Sequence, residues 1–570
     1  MKKIRCYSIL FLAAIVMTSC SGLNKMKKNA GDIRYDVNPK VLEAHAGVVN
    51  VEITGTFPAS YFDKKTTLTA TPVLTYAGGE TPFEEVKVQG ESVQANNTVI
   101  AYNGGNFKYT SSVPYEDDMK VSELILRVRA VRGAKSLDFD PVKLADGVIA
   151  TSELVNKHAR SVAMEDKFVR IVPEAQTADI HYVINQYNLR NSELSAEDVK
   201  ALQEYIEAVE ADSSRQFKGV AVSSYASPDG EVDFNTRLSG NRGTTADRFI
   251  KREFSDIESA EAEAFFDSKT TPEDWEGFKT EVTNSSIEDK DLILRVLSMY
   301  TDPEVREQEI RNMSAAFEVL KTDILPKLRR SKMTVNVDKI GRSDEQILEL
   351  ALSDPKVLSL EEILYAGTLT DDLGEKLSIY KAALENNPKC IRAANNVGYV
   401  LMAQGKTDEA IAAYEVAKAI NDNDVVKNNL AFCYLVKGDM AKAEEIFTSM
   451  TAATPESKWG LGVISITKGE YDTAVNYFGT EPCFNVALAQ LLKGDVNKAK
   501  VTLDSAESLC PDGRGEYLKA VVGARLDDRD YMLNGLREAI GTDAKWKEYA
   551  TTDLEFAKYW NDDTFTSVVQ

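Results

Sequence analysis

The sequence predicts a multidomain chain: an N-terminal antiparallel β-sandwich, a central α+β domain with a helical insertion, and a C-terminal all-α solenoid. Three observations predict it. Apolar residues alternate with period two up to about residue 165, strands and amphipathic helices then alternate to about residue 340, and residues 344–570 repeat a glycine–alanine–aromatic pattern. At 570 residues, two to four domains can each bury a core of their own.

The chain opens "MKKIRCYSILFLAAIVMTSC", with Lys2, Lys3 and Arg5 ahead of an apolar run and small residues before Cys20. That order predicts a bacterial signal peptide over residues 1–19, because the apolar run is far shorter than the ~20 residues a membrane-spanning helix needs. "MTSC" resembles a lipobox, which implies cleavage before Cys20 and lipidation there. Residues 20–31 then read as a tether, "SGLNKMKKNAG", basic and without an acidic residue until Asp32. The expected location is the outer membrane, lipid-anchored through Cys20, with the body in the periplasm. Loss of Lys2, Lys3 and Arg5 takes the formal charge from −22 to about −25, which repels nucleic acid and anionic lipid.

Residues 32–165 carry the sandwich. Val49, Val51 and Ile53 alternate in "VVNVEITGTF", as do Leu124, Leu126, Val128 and Ala130 in "SELILRVRAV", and "YAGGE", "ANNT" and "YNGGN" supply the turns. No catalytic constellation stands out there.

Residues 166–340 mix elements. "ADIHYVINQYNL" reads as a strand, "SAEDVKALQEYIEAVEAD" as a helix, "FKGVAVSSYA" as a second strand, "NTRLSGNRGTTADRFIKREF" as a second helix and "RRSKMTVNV" as a third strand. A helical insertion falls at about 255–326, with helices near Trp275, Leu292 and Glu309, and with Trp275, Phe278 and Leu292 as core residues. Asn235, Leu238, Ser239 and Arg242 form an N-x-x-L-S-x-x-R helix start, and Arg329 and Arg330 open the last strand. By these residues the segment resembles the OmpA-like family of periplasmic peptidoglycan-binding domains. That resemblance implies a pocket for the zwitterionic diaminopimelate of the stem peptide, in which an aspartate takes the ammonium and the helix arginine, here Arg242, takes the carboxylate. Where the family places the aspartate this chain has Ser227, and Asp229 stands two residues later. Three readings stay open: Asp229 moves into the pocket, Ser227 supplies one neutral hydrogen bond, or the fold is kept without a wall ligand. The peptidoglycan candidates are therefore Ser227, Asp229, Asn235, Leu238, Arg242 and Arg329.

From residue 344 to 570 helical units recur. "GKTDEAIAAYEVAKAI", "GDMAKAEEIFTSM", "GEYDTAVNYF" and "GDVNKAKVTLDSA" align a turn glycine with Ala410, Ala443, Ala474 and Ala499, followed by Tyr414, Phe447, Phe478 and Leu503. Spacings of 33, 31 and 25 residues bracket the tetratricopeptide period, and the segment resembles that family. Such units stack into a superhelix whose concave face binds peptides or helices. Asn395 and Tyr399 near "AANN", with Asn428 and Tyr434 near "KNN", are the expected partner-binding residues, since amides can clamp a peptide backbone.

Cys390, Cys433, Cys483 and Cys510 sit roughly one per repeat with no C-x-x-C spacing, and the three histidines, His45, His158 and His181, are far apart. Small core residues are the expected role of the thiols. No cofactor, metal site or catalytic residue is assigned: G-x-S-x-G, H-E-x-x-H and Walker motifs do not occur. The function expected is a non-enzymatic lipoprotein scaffold that contacts peptidoglycan and, through its repeats, a protein partner. The alternative is an assembly factor for secretion or surface fibres without wall binding, and a wall-remodelling enzyme is the third reading.

Overall fold

The computed structural model describes residues 22–570, the side chains of 314–316 excepted. Cys20, the expected lipidation site, lies outside the described residues. The chain divides into two compact units, one of residues up to Met164 with Ala383–Gln570, the other of Glu165–Ala382.

Among the described residues of the first unit, twelve strands form two sheets over one core. They are β1 (Arg34–Asn38), β2 (Leu42–His45), β3 (Val48–Phe57), β4 (Thr67–Tyr76), β5 (Gly79–Pro82), β6 (Val86–Gly90), β7 (Thr98–Ile100), β8 (Gly105–Pro114), β9 (Ser122–Arg132), β10 (Lys135–Asp138), β11 (Val142–Asp146) and β12 (Val148–Ile149). One sheet centres on β3, which pairs with β8 on one side and β1 and β2 on the other. In the second, β4 and β9 form the long central pair. Pairing is antiparallel except for the short pairs β2 with β12 and β6 with β7. The alternating residues are buried as their period requires: Val49, Val51 and Ile53 from one sheet, Leu124, Leu126, Val128 and Ala130 from the other.

The same unit holds paired helices. First helices are Ile391–Ala403, Asp424–Val436, Pro455–Thr467, Phe484–Lys493 and Arg514–Arg525; their partners are Thr407–Ile420, Met440–Thr448, Tyr471–Phe478, Val496–Ser505 and Arg529–Thr542. Ala410, Ala443, Ala474 and Ala499 are fully buried between them. The aromatics press on glycines: a Cβ at Gly398 would lie 2.6 Å from the Tyr414 ring, and one at Gly460 2.3 Å from Phe447. Turn glycines Gly405 and Gly438 adopt φ of +75° and +86°, the left-handed conformation that ends each first helix. Cys433 is buried in this core, while Cys390, Cys483 and Cys510 are half-buried free thiols.

In the second unit, β13 (Ile171–His181), β14 (Arg215–Tyr225), β15 (Phe266–Thr271) and β16 (Arg330–Ile340) form a sheet in the order β13-β16-β14-β15. Helices Glu197–Glu210 and Val232–Glu253 bury Val199, Leu202, Ile206, Phe249 and Ile250 against Ile180, Val220, Val222, Val335 and Val337. Two expectations need correction. The insertion is not wholly helical: β15 pairs parallel to β14, and its polar stretch "DSKTT" hides a strand whose apolar anchors are Phe265 and Phe266. Leu292 is exposed, because the helix Lys290–Met299 turns Ile293 and Leu297 into the core beside Phe278.

Candidate functional site

Between β12 and β13 the main chain has no backbone ladder of its own, yet its polar groups are met. Asn429 accepts the Val162 N–H at 2.8 Å and donates to the Val162 carbonyl at 2.8 Å. Asn396 treats Met164 the same way, at 2.7 and 2.9 Å, and Asn485 treats Asn156 so, at 2.9 and 3.0 Å. Asn395 donates to the Val162 carbonyl at 3.0 Å and Asn428 to that of Arg160 at 3.1 Å. An asparagine amide presents one acceptor beside one donor pair, so it matches the N–H and C=O of a single extended residue. Residues 156, 160, 162 and 164 are all even because an extended chain turns every second residue to the same side. The five asparagines sit on first helices and are almost fully buried, and a buried amide is costly unless bonded.

The amides also brace each other. Asn429 donates to the Asn395 Oδ1 at 2.9 Å, Asn395 to Asn396 and Asn428 to Asn429, both at 3.2 Å. The helix Pro455–Thr467 carries no asparagine; there the Arg160 guanidinium lies 3.7 Å from the Trp459 ring centroid. At the start of the segment Arg514, itself held by Asp512, donates to the Leu154 and Val155 carbonyls at 3.3 Å. Tyr399 lines an open cleft of about 620 Å³ with Lys157, His158, Ala159, Ser161, Met402 and Val436. Tyr434 is half-buried, with the Lys442 ammonium 4.0 Å from its ring.

In the second unit a cluster forms where β14 meets the helix Val232–Glu253. Ser227 donates to an Asp229 carboxylate oxygen, and Arg329 donates to the Ser227 hydroxyl at 3.3 Å and pairs with Asp229 at 3.4 Å. Asn235 donates to the Ser227 and Gly230 carbonyls at 3.1 Å, closing the loop onto the helix. Ser239 and Leu238 are buried one turn on. Arg242 lies deeper: its guanidinium donates to the Gln186 carbonyl at 3.1 Å and the Tyr225 carbonyl at 2.8 Å, and stacks 5.1 Å from the Tyr182 ring. Burial lowers its pKa to about 10. Arg330 pairs with Asp274 at 3.2 Å. Arg311 of the insertion donates to the Asp229 carbonyl at 2.9 Å, and the cavity that Asp229 shares with Trp275, Phe278 and Ile310 is about 10 Å³, at the lower limit for one water.

Residues 401–461 match the family model for the tetratricopeptide repeat. The matched stretch spans parts of three helix pairs, and the helices around it repeat the same two-helix unit. No curated protein matches the chain. Among solved structures, a tetratricopeptide repeat protein from Parabacteroides merdae is similar at 16% identity, covering 37% of this chain and 91% of its own, with a TM-score of 0.30. The Cut9–Hcn1 hetero-tetramer of the APC/C is 14% identical, covering 66% and 82%, with a TM-score of 0.32. YrrB, a tetratricopeptide protein with an unusual peptide-binding site, is 14% identical, covering 33% and 88%, with a TM-score of 0.21.

Of the sequence-predicted residues, Ser227, Asp229, Asn235 and Arg329 converge, Arg242 and Leu238 back them from the core, and Asn395 and Asn428 grip main chain from within this protein. Asn396, Asn429, Asn485 and Trp459 were missed. The signal was present: "AANNV", "KNNLA" and "CFNVA" place asparagine at one phase of three of the first helices.

Among the described residues no helix is long and apolar enough to cross a membrane, and no cluster of His, Cys, Asp and Glu has the makings of a metal site.

Proposed function

We propose that the chain is a non-enzymatic outer-membrane lipoprotein scaffold, anchored at Cys20 with its body in the periplasm, whose tetratricopeptide array handles extended polypeptide. The asparagine ladder carries this reading, because it recognises main chain rather than any reactive group. The middle domain, OmpA-like by its N-x-x-L-S-x-x-R helix and double-arginine strand, serves in this reading as a structural module of an assembly factor. Asp229 is already paired with Arg329 and covered by Arg311, and Arg242 is spent on two carbonyls.

A second reading, weak contact with peptidoglycan, is favoured by the convergence of Ser227, Asp229, Asn235 and Arg329 at one helix start. Co-sedimentation with purified sacculi separates the two. The wild type is expected to stay in the supernatant; retention that disappears in Asp229→Asn would establish the wall reading instead. Photo-crosslinking in cells from the exposed second helices, at Val416 and Val501, is expected to capture a protein partner.

A further inference from the structure

We infer that residues 156–164 are an exchangeable occupant of the ladder, and that the partner replacing them is an extended, basic polypeptide segment with an arginine or lysine at the position of Arg160. This rests on reading the array as a binder of extended chain.

Three observations support exchange. The ladder holds the segment by its backbone: every ladder bond to the segment goes to a main-chain N–H or C=O, so any extended chain without proline at the gripped positions satisfies it. The hold is also uneven. Residues 156 and 164 are each gripped twice and residue 162 three times, whereas the stretch 157–161 receives one ladder bond, at the Arg160 carbonyl, and its residues Lys157, His158, Ala159 and Ser161 border the open cleft of about 620 Å³.

The third observation is that the resident segment leaves part of the groove unmatched. Asn428 Oδ1 and Trp459 Nε1 are buried and have no hydrogen-bond partner among the described residues, although their residues are only 2% and 8% exposed. Asn428 is the ladder position that donates without accepting, while Asn429, Asn396 and Asn485 do both. A chain that brought an N–H to Asn428 Oδ1 and an acceptor to Trp459 Nε1 would fill the site better than residues 156–164 do.

The basic character of the partner follows from the segment it replaces. "NKHARSVAM", residues 156–164, carries Lys157 and Arg160 and no acidic residue, in a chain whose formal charge is −22. The face of Trp459 takes the guanidinium, which is the one side-chain-specific contact at the centre of the site. Being tethered, the resident segment competes at high effective concentration, so exchange needs either a better ligand or a weakened occupant.

The test uses the full chain and a fluorescent synthetic peptide of residues 154–166. Arg160→Ala in the protein is expected to raise peptide affinity at least about tenfold over wild type, and adding Asn429→Ala is expected to abolish that gain. The same peptide with its arginine replaced by alanine should bind about tenfold more weakly. Hydrogen exchange on the wild type needs no variant: the amides of Asn156, Val162 and Met164 are expected to exchange at least about a hundredfold faster than core amides of Asp424–Val436. Exchange of those three amides together with the core, or no peptide uptake by Arg160→Ala, overturns the inference. So does a concentration-dependent dimer of Arg160→Ala without peptide uptake, which would give the groove to a second copy. Core-like exchange leaves the scaffold reading standing, and an empty crosslinking screen leaves peptide exchange standing.

Discussion

The asparagine ladder and the Ser227–Asp229–Arg329 cluster are both buried polar sites filled by the protein itself, but they are filled in different currencies. In the ladder, neutral amides meet a neutral backbone in one-to-one pairs. In the cluster, charges meet charges, with Arg329 on Asp229 and Arg330 on Asp274. Neutral amides are cheaper to desolvate and indifferent to side-chain sequence, so the ladder suits exchange of one chain for another. The ion cluster requires particular partners at particular angles, and those partners come from the surrounding fold.

The largest expected effect tests the rigid side of this contrast. Arg242→Met removes both donors to the Gln186 and Tyr225 carbonyls together with the stack on Tyr182, and should destabilise the second unit by about 3 kcal/mol or more, read by chemical denaturation. A loss below about 1 kcal/mol would mean that the buried guanidinium is as dispensable as a surface one.

The ladder's own unit contains an exception to its neutrality. Burial raises the Asp553 carboxyl to about 6, even though it accepts hydrogen bonds from the Tyr517 hydroxyl at 2.6 Å and the Glu555 N–H at 3.0 Å. The folded protein therefore holds this proton more tightly than the unfolded chain does. Stability falls as pH rises from about 4 through 6, by up to about 3 kcal/mol from this group. Asp553→Asn cannot titrate, so its stability relative to wild type should improve from pH 4 to pH 7, and a difference independent of pH would remove Asp553 from the account.

Next in size is the ladder itself. Asn429→Leu strips the Val162 N–H of its partner, leaves the Val162 carbonyl with Asn395 alone and takes one partner from Asn395, and should cost about 2 kcal/mol by urea denaturation. Asn428→Leu removes an amide that is only half used and should cost about half as much. Equal losses at the two positions would erase the unevenness on which exchange depends.

These residues also mark how far the sequence could be read. Period two exposed the strands of the first sheets, and the recurring alanines and turn glycines exposed the paired helices, because in both the partner lies at a fixed offset along the chain. The segment 155–164 has no such offset: its partners are side chains more than two hundred residues away, so nothing local marks it as an extended, bonded strand. Strand β15 was hidden for the opposite reason, since an edge strand of polar residues carries no alternation to find. The doublets "NN" were legible as amides on first helices, but which amide of each pair grips twice depends on the azimuth of the helix. In the middle segment the helix start was legible through Arg242, whereas the closing of Asp229 by Arg311 depended on how the insertion folds back.

The smallest expected effect sharpens the comparison most. Arg311 is largely exposed and reaches the cluster only through the Asp229 carbonyl while pairing with Glu307, so Arg311→Ala should cost about 0.5 kcal/mol, near the limit of denaturation measurements. Its value lies in what it uncovers. If the cluster is closed by its own ion pairs, removing Arg311 leaves Asp229 still bound to Arg329, and the variant should ignore sacculi as the wild type is expected to. If the insertion alone closes the site, Arg311→Ala should gain retention on sacculi that Asp229→Asn then removes. That gain would make both buried sites covered ligand sites, one under an extended segment and one under a helical cap, and the contrast between them would become one of lid rather than of chemistry.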